Sequence, residues 1–75
     1  TYALQAGSFG SVENARALAS KIMATAGDVS VSAVDVGGTT YHRVRVGAFA
    51  TREDAEAYGQ EHLSRNGFSF KVVTK

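Results

Sequence analysis

The chain has 75 residues, no cysteine, and a formal charge of +1 from eight basic and seven acidic side chains. That excludes a disulfide framework and thiolate metal sites, argues against a nucleic-acid binder relying on a basic excess, and limits residues 1–75 to one domain. A stability of about 4–11 kcal/mol follows from the usual per-residue range, leaving little margin for an elaborate buried active site. The 44% hydrophobic content speaks against disorder. No apolar run approaches the ~18–20 residues that span a bilayer. The chain opens on Thr1 rather than Met, so it is expected to be a piece of a longer protein whose export signal or anchor would lie outside it.

In chain order, Tyr2 to Phe9 is the first strand candidate. Ser11 then sits where an N-cap belongs, its hydroxyl able to accept from a free first-turn amide. Val12, Ala15, Ala19, Ile22 and Ala26, with Leu18 and Met23 beside them, form an apolar stripe at helical spacing. Gly27 is expected to stop this helix in a left-handed C-cap. Val29 to Val36 is a second strand, and Gly37-Gly38 is a hairpin turn signal. Thr40 to Phe49 is the clearest strand, since Val44 and Val46 alternate with Tyr41, Arg43 and Arg45. Thr51-Arg52-Glu53-Asp54 fits a capped helix start. Ala55, Tyr58, His62 and Leu63 form a weaker stripe, Gly67 mirrors Gly27, and Phe68 to Thr74 reads as the last strand.

A shift of 40 residues lays Leu4-Gln5-Ala6-Gly7-Ser8-Phe9 over Val44-Arg45-Val46-Gly47-Ala48-Phe49. The register continues without a gap: Glu13 falls on Glu53, Ala15 on Ala55, Gly27 on Gly67. The halves, roughly 2–36 and 40–75, are each strand–helix–strand. Order βαββαβ with a central hairpin predicts an α+β, ferredoxin-like (RNP-like) domain with a four-stranded antiparallel sheet, two helices on one face and the other face open.

Catalytic chemistry is not legible. Ser8 lacks a G-x-S-x-G context, no nucleophile–base pair stands out, and His42 and His62 have no metal-ligand spacing. No catalytic residue, metal or cofactor is expected. His62 falls on Ile22 in the repeat and is expected to be half-buried and structural; His42 should point to the helix side or a sheet edge. Gly7 and Gly47 are expected to bend the strand ends, and Phe9, Phe49 and Tyr58 to pack in the core. Lys71 and Lys75 are expected to be solvated.

The open face is what remains. Tyr41, Arg43 and Arg45 should project from the third strand and Gln5 and Ala3 from the first, opposite Leu4. With these strands adjacent, Gln5 is expected near Tyr41 and Arg43. Amide, phenol and guanidinium on a flat patch suit an extended polar ligand: tyrosine stacks and hydrogen-bonds, and arginine grips carboxylates in bidentate fashion.

Tyr2-x-Leu4-Gln5-x-Gly7-Ser8-Phe9, then Asn14-Ala15, then Arg43-Val44-x-Val46-Gly47-x-Phe49 and Ala55 resemble the SPOR (sporulation-related repeat) domain over essentially the whole chain. The sequence departs from the family's pattern at Ala48, where many members carry proline. The resemblance implies a non-catalytic module binding bacterial peptidoglycan, favouring denuded glycan strands of N-acetylglucosamine and N-acetylmuramic acid without stem peptides. It implies a periplasmic or cell-envelope setting at the division septum, where the module would target its parent protein. The site residues it implies are Gln5, Ser8, Tyr41 and Arg43, with Arg45 and Val72 as weaker contacts. A monomer without nucleic-acid or membrane contact in this segment is expected. Gln5 and Ser8 differ in strand parity, so both reach one ligand only if the strand bends or ends at Gly7. Whether Val72 or Val73 faces outward stays open. An RRM-like RNA-binding module is the main alternative, though the third strand carries valines where such modules stack aromatics; a ferredoxin-like dimerisation or regulatory domain is another.

Overall fold

The computed structural model describes residues 1–74; Lys75, expected to be solvated, lies outside them. The elements are β1 (Tyr2–Phe9), α1 (Val12–Met23), β2 (Val29–Val36), β3 (Thr39–Phe49), α2 (Arg52–His62), a 3₁₀ turn (Ser64–Asn66) and β4 (Lys71–Thr74). The strands form one antiparallel sheet in the order β2-β3-β1-β4, the expected ferredoxin-like arrangement with β1 and β3 central.

Local chemistry starts and stops the helices. Ser11 Oγ accepts from the Asn14 amide at 3.4 Å and Thr51 Oγ1 from the Asp54 amide at 3.1 Å, each satisfying a first-turn donor. One face of each helix then packs on the sheet. Leu4, Val44 and Val46 from β1 and β3 meet Ala15, Ala19 and Ile22 of α1 and Ala55 of α2, with Ala26 and Leu63 beyond the helix ends. Phe9, Phe49, Tyr58 and Phe70 pack around this core. Met23, placed beside the α1 stripe by its spacing, is instead 58% exposed.

The helix exits differ from expectation. Gly27 is not left-handed; the positive φ falls on Asp28, at 57°. Gly67 is left-handed, at φ 83°, but closes the 3₁₀ turn rather than α2. Its amide donates to the Ser64 carbonyl and that of Phe68 to the Leu63 carbonyl, at 3.1 and 3.0 Å, the bonding pattern of a Schellman motif. Because Phe68 is committed to that turn, β4 begins at Lys71 and not at Phe68. The Phe70 ring lies over Gly59 of α2, where a Cβ would stand 2.5 Å from it.

His62 is structural, as its place in the repeat implies. Its ring stacks on Tyr58 at 4.2 Å, its Nδ1 lies 3.2 Å from the Thr25 carbonyl, and its own carbonyl accepts from Thr25 Oγ1 at 3.0 Å. Tyr58 Oη accepts from the Gly27 amide at 3.3 Å. These contacts join the segment after α1 to the end of α2. Tyr58→Phe, which removes the acceptor and keeps the ring, is expected to lower stability by about 1 kcal/mol. Urea unfolding followed by circular dichroism measures it.

Gly7 and Gly47 do not end their strands, which run on to Phe9 and Phe49. Each glycine instead seats the ring two residues on: a Cβ would stand 2.8 Å from Phe9 at Gly7 and 2.6 Å from Phe49 at Gly47. The repeated Gly-x-Phe is thus a packing unit. Register shifts accompany both. One falls between Gln5 and Gly7 on β1; the other separates the Tyr2–Phe49 and Leu4–Val46 pairs and takes up Gly47 and Ala48 on β3.

Candidate functional site

Residues paired across an antiparallel ladder share a face, so the register assigns every strand side chain. Val29 and Val31 of β2 lie opposite Val46 and Val44 and share the helix side with Leu4. His42 is on this side too, opposite Ala33 and Phe9, as expected. The open face carries Arg43 and Arg45 on β3, facing Ser32 and Ser30 of β2 and Ser8 and Gln5 of β1.

The pairing of Ser8 with Arg43 removes the parity conflict. The shift between Gln5 and Gly7 is a β-bulge: Ala6 is the extra residue, and beyond it the alternation inverts. Gln5 and Ser8 therefore share the open face although they are three positions apart. A signal for this was present in the sequence. Leu4 and Phe9 both belong to the core, yet stand at an odd spacing that no regular strand permits.

The same register corrects the expected proximity of Gln5 to Tyr41. Arg45 lies across from Gln5, and Tyr41 is four residues further along β3, about 13 Å at the usual strand rise. Tyr41 pairs with Val34 of β2 near the hairpin end and is 36% exposed. The candidate residues thus form a line along β3 rather than one tight cluster: Tyr41, then Arg43 with Ser8, then Arg45 with Gln5.

Val72 borders a depression of the open face, but its side chain turns the other way. It pairs with Leu4 and its side chain packs against the core. The residues of β4 on the open face are Lys71, opposite Gln5, and Val73, opposite Ala3. Ala3, fully buried yet not part of the helix-side core, is covered on the open side.

Gln5, Arg43, Arg45, Lys71 and residues 72–74 line a shallow depression of about 450 Å³. Gln5 and Lys71 also border a second, of about 260 Å³, that continues past Ala6 and Gly7 towards Ser69 and Phe70. It opens where β4 stops pairing: β4 covers β1 only from Tyr2 to Gln5.

The charge distribution is one-sided. No open-face strand position carries a carboxylate, whereas Arg43, Arg45 and Lys71 place three cations there. Among the described residues the single ion pair is Arg65–Glu61, at 3.2 Å, on α2 and the 3₁₀ turn rather than on a strand of this face. The Nε atoms of Arg43 and Arg45 are buried without a hydrogen-bond partner. A buried guanidinium donor left unpaired is costly, and an anionic acceptor on this face would relieve that cost. Among the described residues no group of three or more His, Cys, Asp or Glu gathers as a metal site.

The SPOR domain model matches residues 1–74. The chain belongs to the SPOR family. SPOR domains are binding domains and not catalysts. The fold is similar to the crystal structure of the RlpA SPOR domain from Pseudomonas aeruginosa, with a TM-score of 0.82 and 22% identity over the whole of both chains. It is also similar to the solution structure of the peptidoglycan binding domain of the B. subtilis cell wall lytic enzyme CwlC. There the TM-score is 0.75 and the identity 27%, over 99% of this chain and 87% of that one. No curated protein matches the chain.

Proposed function

We propose that this SPOR domain binds the glycan strands of bacterial peptidoglycan on its open sheet face, favours strands stripped of their stem peptides, and carries its parent protein to the division septum in the cell envelope. The observation that carries the reading is the cation-lined face with two buried arginine donors awaiting acceptors. The similarity to a domain described as peptidoglycan binding supports the ligand class.

The chemistry explains why a denuded strand is the better ligand. An amidase that removes the stem peptide frees the lactyl carboxylate of each muramic acid; with the peptide attached, the same position is a neutral amide. Arg43 and Arg45 supply charge-assisted donors to such a carboxylate. Gln5 and Ser8, neutral and on the same face, suit sugar hydroxyl and acetamido groups. Tyr41 offers a ring and a hydroxyl at the far end of the line. An RNA reading gains no support, since the middle of the open face carries arginine, glutamine and serine where stacking rings would be needed.

A pull-down with purified sacculi tests the reading. The isolated domain is expected to sediment with amidase-treated sacculi and to stay largely in solution with peptide-rich ones. Equal sedimentation with both would remove the preference for denuded strands, and none with either would remove the ligand class.

A further inference from the structure

Lys71 stands on the open face without any sequence motif to mark it. It is exposed, and its register partner is Gln5, which in turn faces Arg45. Arg45, Gln5 and Lys71 therefore form a row across β3, β1 and β4. The two cations are separated by two strand spacings, roughly 9–10 Å between main chains. Lys71 borders both depressions, so it stands where the basic one passes into the one beside Ala6 and Phe70. Among the described residues it has no carboxylate partner, and neither does Arg43 or Arg45. Three uncompensated cations around one depression repel one another and favour whatever anion enters, in a chain whose formal charge is only +1.

We infer that Lys71 is a specificity-determining residue of this face: an anion contact on the far side of Gln5 from Arg45, by which the domain selects carboxylated glycan over neutral glycan of the same length. The inference rests on the glycan reading above and adds a residue and a mechanism to it. A strand laid across the sheet meets a cation on either side of the Gln5 amide. The arginines, with their forked donors partly buried, hold a carboxylate in fixed geometry. The lysine, a point charge on a flexible stem, follows an anion whose position varies. Selection on this account is by charge: a neutral strand of the same shape leaves all three cations without partners.

The test uses the purified domain and two probes of equal length, titrated calorimetrically at low and high salt. One is a denuded oligosaccharide alternating N-acetylglucosamine and N-acetylmuramic acid; the other is a neutral N-acetylglucosamine oligomer. Lys71→Met is expected to weaken binding of the carboxylated probe by roughly three- to tenfold and to flatten its salt dependence. Binding of the neutral probe is expected to be unchanged, and Lys71→Arg to restore the affinity. If Lys71→Met binds the carboxylated probe as wild type does, with the same salt dependence, the inference fails while the glycan reading stands. An equal loss for both probes also overturns it, since the effect is then not one of charge. Failure of the wild-type domain to bind the carboxylated probe would overturn the glycan reading itself.

Discussion

Replacing Arg43 and Arg45 together by methionine is expected to lower affinity for denuded glycan by about a hundredfold or more and to leave the folded domain at least as stable. A charge-assisted hydrogen bond contributes roughly 1.5–3 kcal/mol, so two arginines account for at least that fold-change. The stability side follows from the orphaned Nε atoms. In the free domain both donors are buried without partners, and the two like charges sit side by side on one strand face. Methionine keeps most of the side-chain length and removes both the unpaired donor and the repulsion. Titration calorimetry gives the affinity and a thermal melt the stability. Retained binding would take the arginines out of the site. A large drop in melting temperature would mean that they serve the fold instead.

A large loss of stability is expected at Gly47, where Gly47→Ala should cost about 2–4 kcal/mol. Two penalties coincide. The φ of 73° is one that residues with a Cβ adopt only under strain, and the new Cβ would stand 2.6 Å from the Phe49 ring. In a domain of this size the melting temperature should fall by roughly 10–25 °C. Gly38→Ala separates the two penalties. Its φ of 85° is also positive, but nothing lies within 4 Å of the added Cβ. If the two variants melt together, the ring seat contributes nothing and the Gly-x-Phe unit loses its explanation.

Much of the fold was legible because the two halves say the same thing. The Ser11 and Thr51 caps, the paired glycines and phenylalanines and the Gly37-Gly38 turn all point to one topology, and the sheet order follows from it. What stayed hidden belongs to register. Strand alternation assigns faces only while it runs unbroken, and Ala6 breaks it; Ser8 therefore reads as pointing away from Gln5 when it does not. Val72 and Val73 are chemically alike, and only the pairing with Leu4 and Ala3 tells them apart. Lys71 reads as an ordinary surface lysine because its meaning comes from Arg45 on another strand, 26 positions earlier in the chain. Gly27 mirrors Gly67 in sequence but not in conformation, since the Tyr58 hydroxyl takes its amide and the positive φ moves to Asp28.

The bulge at Ala6 also bears on how such a domain tolerates insertions and deletions. Elsewhere, the face a residue occupies is written in its identity, apolar inward and polar outward. Between Gln5 and Gly7 it is written in a count. Pair the same residues regularly, without the bulge, and every chemical group of the proposed site survives, yet Ser8 and Phe9 exchange sides: the hydroxyl turns under the helices and the ring turns out into the binding face; delete Ala6 itself and a regular β1 keeps both where they are. Ala6 contributes little to the surface through its own side chain. The bulge that absorbs it keeps the two ends of one strand in phase with a ligand on one side and a core on the other.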